Sequence, residues 1–338
     1  MLYIDAYCHI LPKKYRSAVD KILAKRDPSL NTSRYARTVP ILTDLEARFR
    51  LMDRFPGYMQ VLTIAAPFIS DIASPKEAAQ LAQIANDEMA ELVDRYPERF
   101  AGAIACLPLN NIDAALKEVR RAIEELRFRG AEMASDIGGK PLDADEFLPF
   151  YEMMEAYNLP IFIHPQKEMN VPDYKGEKIS KYRIWTKLGW PMATSMAMTR
   201  LVYGRILERF EGLNVVTHHC GGVIPFVAGR LDWSDDFNEM RMGHRDIFLK
   251  RSALDYYRRF YYDTAVNGNT AALRCGLELC GIDRLIFATD VPFDNQGGYR
   301  LVKDTIDSID RMGLSPADLK KVCQDNAIHL MRLPLCKF

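Results

Sequence analysis

The apolar positions of this chain alternate between two periods. Short runs rich in β-branched and aromatic residues recur at "LYIDAYCH" (2–9), "MQVLTIAA" (59–66), "AGAIACLPL" (101–109), "RGAEMAS" (129–135), "LPIFIHP" (159–165), "LNVVTHHC" (213–220), "RRFYYDTAV" (258–266) and "RLIFATDVP" (284–292). They read as strands buried on both faces. Between them the apolar residues fall at helical spacing, over 41–55, 74–100, 111–128, 143–158, 194–210, 223–237, 270–280, 298–312 and 315–333. Ser74 before Pro75, and Asn111, supply the N-caps of two of these helices.

Eight strands, each followed by helix, argue a parallel sheet with helices outside. Eight such units in roughly 300 residues fit a closed (β/α)8 TIM barrel. An open doubly wound sheet is the alternative, but the first strand–helix turn lacks a GxGxxG. No repeat, low-complexity tract or Pro/Gly/Ser linker divides the chain, so residues 1–338 read as one barrel domain. The longest irregular pieces, near 10–40 and 166–193, follow strands one and five and are expected to cover the mouth of the barrel.

Composition narrows the partners. Lys+Arg and Asp+Glu are both 45, so no bulk field draws the chain to nucleic acid or an anionic membrane. No apolar run approaches the roughly 20 residues of a membrane span, and the start shows no signal-peptide pattern. The seven cysteines are scattered, odd in number and without a CxxC pair, which fits reduced thiols in a cytoplasmic protein. Cys8 and Cys220, beside His9 and His219, read as core thiols.

The candidate chemistry lies where the strands end. In a barrel, catalytic groups sit at the C-terminal ends of strands. His9, His164, His219 and Asp290 occupy those positions on strands one, five, six and eight. One such histidine is usually a satisfied polar residue. Three on separate strands, with "TD" ending a fourth, point to a shared divalent cation, because buried polar groups need partners. His218 precedes His219 and is expected to face the helices as a packing residue. His244, in a polar run, and His329, in the last helix, read as structural or surface residues.

Five segments and the closing helix resemble the amidohydrolase-related family that includes aminocarboxymuconate-semialdehyde decarboxylase and the nonoxidative hydroxybenzoate decarboxylases. They are "IDAYCHILP", "PIFIHP", "HHCGGVIPFVAGR", "RFYYDTA", "FATDVPF" and the terminal "DNAIHLMRL". Each is short, but their joint order spans the chain. The resemblance implies a barrel of the metal-dependent amidohydrolase type with metal ligands at His9, His164 and Asp290. It implies a catalytic role for His219, with Asp290 or His219 handling protons. It also implies that Arg230 binds a substrate carboxylate, reaching into a neighbouring subunit's site in a homodimer. The competing reading of Arg230 is a helix residue paired with Asp232 or Asp236.

Tyr7 departs from the family, which usually has His or Glu there. Positions 5, 7 and 9 are expected to share one face of the first strand, so Tyr7 should point inward beside His9. A neutral phenol is a poor ligand. Two histidines and one carboxylate then remain, a set with open positions that suits zinc first, and manganese or iron(II) as well. A chelating ortho-hydroxy aromatic acid would fill the vacancy, with Tyr7 and Phe293 against the substrate. Phe68, Trp185, Trp190 and Phe293 lie on or near the strand ends and loops and would form a flat apolar slot. The expected reaction is therefore nonoxidative decarboxylation. Hydrolysis or hydration by a metal-bound water, and a non-catalytic metal-binding barrel, are the alternatives.

Overall fold

All eight predicted strand segments form parallel strands in the computed structural model, which describes residues 1–26, 38–244 and 249–335. They are β1 (Tyr3–Ile10), β2 (Tyr58–Ile64), β3 (Phe100–Ala103), β4 (Ala131–Ala134), β5 (Ile161–His164), β6 (Val215–Thr217), β7 (Tyr261–Asp263) and β8 (Leu285–Ile286). The ladders run continuously from β1 to β3 and from β4 to β8. Ala105 bridges to Ala131 and Cys8 to Val291, both in parallel. Ala6 N donates to Phe287 O and Glu132 N to Ala105 O, each at 2.9 Å. These contacts join the two arcs into a closed (β/α)8 barrel.

The barrel has two apolar layers. Ile4, Ala6, Tyr7, Val61, Phe162, Val216 and Ile286 fill its interior, while the outer faces of the strands pack on the helices. Both predicted caps form. Ser74 and Glu77 make a capping box at the start of the helix Pro75–Arg95. Asn111 accepts from Ala114 N at the start of Ile112–Glu124.

Three elements differ from expectation. The strands are shorter than their apolar runs, because the chain after β6 and β8 leaves the ladder to build the barrel mouth. The helix expected over 194–210 begins at Trp190 and divides after Tyr203, resuming at Ile206–Arg209. The stretch 10–40 is not irregular throughout: Lys13–Arg26 is helical, its N-terminal amides of Lys14 and Tyr15 held by Glu88 at 2.9 and 2.7 Å. Residues 27–37 of that stretch lie outside the described residues. The segment 166–193 is tied by a Lys167–Asp173 ion pair at 2.7 Å and by the Trp190 indole, which donates to Lys167 O at 3.3 Å. Among the described residues no helix is long and apolar enough to cross a membrane.

Candidate metal centre and active site

The first strand does not keep strict alternation. Its register against β2 shifts between Asp5 and Cys8, the mark of a β-bulge. Tyr7 and His9 therefore face the interior, while Asp5 does not join them, contrary to the expected shared face. Asp5 is instead bound by the hydroxyls of Tyr58 and Thr289 and by Thr289 N at 3.0 Å. Burial pushes its carboxyl up to about 6, against those donors. Asp5 thus clamps β8 to β1. Arg48, fully buried, donates to His9 O, Ile41 O and Gln60 Oε1 and fixes the end of β1 from below.

Three histidines converge above this floor. Ring nitrogens of His9, His164 and His218 lie within 4.8 Å of one another, and those of His218 and His219 lie equally close to a carboxylate oxygen of Asp290. His9 Nε2 is 3.2 Å and His218 Nε2 3.4 Å from Asp290 Oδ1. Both nitrogens are buried without a properly directed hydrogen bond. The opposite nitrogens are all committed. His9 Nδ1 meets Thr63 Oγ1 at 3.1 Å, His164 Nδ1 meets Pro165 O at 2.8 Å, His219 Nδ1 meets Ala265 O at 3.0 Å, and His218 Nδ1 pairs with Asp263. An outer partner on each Nδ1 leaves Nε2 as the inward donor, the arrangement that orients metal-bound imidazoles. The donor set fits a divalent cation, which would satisfy the two orphaned nitrogens and Asp290 together.

His218 is the main correction to the sequence reading. It is not a packing residue facing the helices but a fully buried wall of the site. Val216 points into the barrel, so alternation counted from Val216 sends His218 inward too. His219 follows it there because β6 ends at Thr217 and the backbone turns left-handed. His219, Cys220, Gly221 and Gly222 have φ of 55°, 54°, 70° and 63°. The two imidazoles consequently stack at 3.9 Å. The Gly-Gly pair is required here: a Cβ on Gly221 would sit 2.3 Å from Tyr262 Cε1, and one on Gly222 2.1 Å from Pro191 O.

The electrostatics prepare the group for a cation. Burial opposes the charge of Asp290, but His218 and His9 beside it hold its carboxyl well below the usual range. Burial, with His9 and His218, keeps His164 neutral by pushing its pKa well down. His218 is buried yet raised to about 10 by the carboxylates of Asp263 and Asp290. Two carboxylates around one imidazole demand a positive charge, from a proton or a metal ion. Burial first, then Glu132, pushes the Tyr7 phenol well above its ordinary value, so Tyr7 is a neutral hydroxyl.

Aromatic rings frame the centre as expected. Phe68, Trp190 and Phe293 place their centroids 5.1 Å from His164, 5.6 Å from His164 and 5.4 Å from His9, and Trp185 lies 5.8 Å behind Trp190.

Comparison with known proteins agrees with this architecture. The amidohydrolase family pattern matches residues 4–333. The chain belongs to the amidohydrolase family. It is 30% identical over 302 residues to the gamma-resorcylate decarboxylase of Rhodococcus jostii (strain RHA1), covering 85% of this chain and 87% of that protein. It is 27% identical over 304 residues to the 2-amino-3-carboxymuconate-6-semialdehyde decarboxylase of Dictyostelium discoideum, covering 86% and 82%. Among solved structures, the 2,6-dihydroxybenzoate decarboxylase from Rhizobium superposes with a TM-score of 0.80 at 24% identity, covering 98% of this chain and 99% of that one. The dihydroxybenzoic acid decarboxylase from Polaromonas sp. JS666, with bound manganese and 2-nitroresorcinol, gives a TM-score of 0.78 at 24% identity, covering 99% and 98%. These structural likenesses establish the amidohydrolase fold.

Within this amidohydrolase, Arg230 stands apart from the cluster. It is exposed on the helix Ile224–Met242. Of its expected partners, Asp232 accepts from Ser252 Oγ at 2.9 Å. Four residues of the centre escaped the sequence reading. His218 was assigned to the wrong face. Asp263 read only as part of "YYDTA". Arg48 sits in an amphipathic helix. Glu132 was hidden in "RGAEMAS", although a carboxylate inside a buried parallel strand is itself a signal.

Proposed function

We propose that this amidohydrolase is a metal-dependent nonoxidative decarboxylase of a hydroxylated aromatic or heteroaromatic carboxylic acid. The observation that carries the reading is the convergence of His9, His164, His218 and Asp290 inside a ring of aromatic side chains. The gamma-resorcylate decarboxylase, 30% identical over most of the chain, supports the substrate class, and the 2-amino-3-carboxymuconate-6-semialdehyde decarboxylase, 27% identical, supports the reaction type.

His9, His164 and Asp290 would hold the ion, with His218 Nε2 as a fourth inward donor. Nitrogen and carboxylate donors suit zinc, manganese or iron(II). The ion would orient a carboxylate and an ortho oxygen of the substrate and withdraw charge from the ring. Phe68, Trp190 and Phe293 would hold the ring between apolar faces and exclude water. Asp290 and His219 handle the proton: it passes to the ring carbon bearing the carboxylate, the C–C bond then breaks, its electron pair returns to the ring, and CO2 leaves. Burial and then His218 lower the His219 pKa, and its Nδ1 proton is held by Ala265 O, so its inward Nε2 is a base that would take a proton from solvent and, as the imidazolium, pass it to Asp290.

A homodimer belongs to the same reading. The helix Ile224–Met242 carries Arg230 and exposes Phe226, Trp233, Phe237 and Met240, and Met192 and Met196 of the preceding helix are exposed as well. A patch of that kind suits a protein partner, and a second copy would bring Arg230 towards a neighbouring site. Arg230→Lys, which cannot reproduce the two parallel hydrogen bonds to a carboxylate, should raise KM and leave metal content unchanged. An unchanged KM, or full activity of a monomer by light scattering, refutes that part. For the reaction itself, the test is CO2 release from a panel of hydroxybenzoates and hydroxypyridine acids. Hydrolysis or hydration products without CO2 would point to the metal-bound-water alternative instead.

A further inference from the structure

Asp290 is built on a backbone that residues with a Cβ rarely adopt. Its φ is 63°, in the left-handed region. Such a residue persists where its surroundings over-determine it, and here both of its neighbours are held. Thr289 N donates to Asp5 Oδ1 at 3.0 Å, and the Thr289 hydroxyl donates to Asp5 Oδ2. Val291 N donates to Thr289 Oγ1 at 3.2 Å, and Val291 O accepts from His9 N at 2.9 Å. Asp290 N itself donates to Tyr7 O at 3.3 Å.

Asp5 is the hub of these contacts. It is fully buried, and it also accepts from Tyr7 N at 3.3 Å and from the Tyr58 hydroxyl. Every one of these partners donates, to both carboxyl oxygens. A carboxylate can answer them all, and an amide, with one acceptor oxygen, cannot. A buried carboxylate needs a balancing cation. Arg48, equally buried on the helix Leu45–Met52, supplies it through two side chains of β2. Arg48 Nη1 donates to Gln60 Oε1 at 2.6 Å, and Gln60 Nε2 donates to the Tyr58 hydroxyl at 3.1 Å. Arg48 Nη2 donates to His9 O. The chain Arg48–Gln60–Tyr58–Asp5–Thr289 therefore runs from the backbone of His9 to the backbone beside Asp290.

We propose that Asp5 and Thr289 are positioning residues of the metal centre. The Asp5 carboxylate locks the backbone around Asp290 in its left-handed form, which keeps Asp290 Oδ1 at 3.2 Å from His9 Nε2 and 3.4 Å from His218 Nε2. Arg48 ties His9 to the same frame. The inference rests on the reading of the cluster as a metal centre, but on no particular substrate or reaction.

The test uses Co2+ loaded into the stripped protein, because its visible absorption follows the number and geometry of its ligands. Affinity is measured by chelator competition. Thr289→Val keeps the branched shape and removes the hydroxyl, Thr289→Ser keeps the hydroxyl, and Asp5→Asn sets an NH2 group against donors. Thr289→Val and Asp5→Asn should bind Co2+ about 10–100-fold more weakly, the size expected for an outer partner of a ligand, with shifted absorption bands at saturation. Thr289→Ser should restore wild-type affinity and bands. Wild-type affinity and bands in folded Thr289→Val, or Thr289→Ser as impaired as Thr289→Val, would overturn the proposal. So would a lowered denaturation midpoint with unmoved bands, the mark of a clamp that serves folding alone. Should Asp5→Asn fail to fold, the two Thr289 variants decide. A wild type that takes up no Co2+ would remove the metal reading together with the proposal, whereas a Co2+ site unchanged across the variants removes the positioning role alone.

Discussion

His218 Nε2 lies 3.4 Å from Asp290 Oδ1, and its other nitrogen is held by Asp263. This relay makes Asp263 the outer partner of an inward imidazole. Removing such partners typically costs about 10–100-fold in metal affinity or activity. Asp263→Asn should therefore weaken metal binding by about that factor while the protein stays folded. His218→Ala should weaken it at least as much. Competition with a chromophoric chelator measures both. Wild-type affinity in His218→Ala would return His218 to a packing role.

Tyr7→Phe should keep its metal. The phenol is neutral and its hydroxyl is spent on Glu132, so the ring, stacked on His218, is the part that shapes the centre. Loss of the hydroxyl removes the hydrogen bond that Glu132 accepts and is expected to lower kcat/KM by about one order of magnitude, as for one hydrogen bond that positions a group at the site. Elemental analysis together with steady-state kinetics checks this. A metal-free Tyr7→Phe would show that the phenol oxygen is itself a ligand.

How much of this was legible in the chain depends on how each residue is positioned. His9, His164 and Asp290 could be found because each closes an apolar run, and strand ends are where a barrel keeps its chemistry. Phe68 and Phe293 follow two of those runs closely, and Trp190 lies in the long segment after the fifth. Asp5 and His218 were misplaced because alternation is only as good as its starting point. A bulge between Asp5 and Cys8 shifts the first count, and in the second the alternation holds from Val216 to His218 and fails at His219, where the backbone turns left-handed after β6. The contribution of His219 depends on four successive left-handed residues, of which only Gly221 and Gly222 announce themselves in sequence. Tyr7 and Glu132 meet across the barrel interior, from β1 to β4, which no local pattern encodes.

Glu132 also makes a stability prediction. Burial raises its carboxyl from 4.5 to about 8, against the Tyr7 hydrogen bond and the His218 charge. Between those values the folded chain holds a proton that the unfolded chain has released. Stability then falls as pH rises, and the contribution present below the unfolded pKa is gone above the folded one. Asp5 and Asp71, each pushed by burial to about 6, act in the same direction at lower pH. From pH 6 to 8 Glu132 contributes a fall, and His218, raised from 6.5 to about 10, contributes another in the metal-free protein, so the comparison with Glu132→Gln separates the two. Denaturant unfolding of metal-free protein should show wild type losing more stability across that window than Glu132→Gln. Equal slopes would mean that the Glu132 carboxyl ionises normally in the fold.

The central claim is that the histidine–aspartate cluster binds a divalent ion that the decarboxylation requires. The most direct measurement is CO2 release from the hydroxybenzoate panel by wild type as purified, after chelator treatment, and after zinc or manganese is restored, with His164→Ala in parallel. The account predicts CO2 from at least one ortho-hydroxy acid, loss of that activity on stripping, recovery on reloading, and no recovery in His164→Ala. CO2 release that persists unchanged in the stripped protein or in His164→Ala, or none from any acid by the fully metal-loaded wild type, would contradict it.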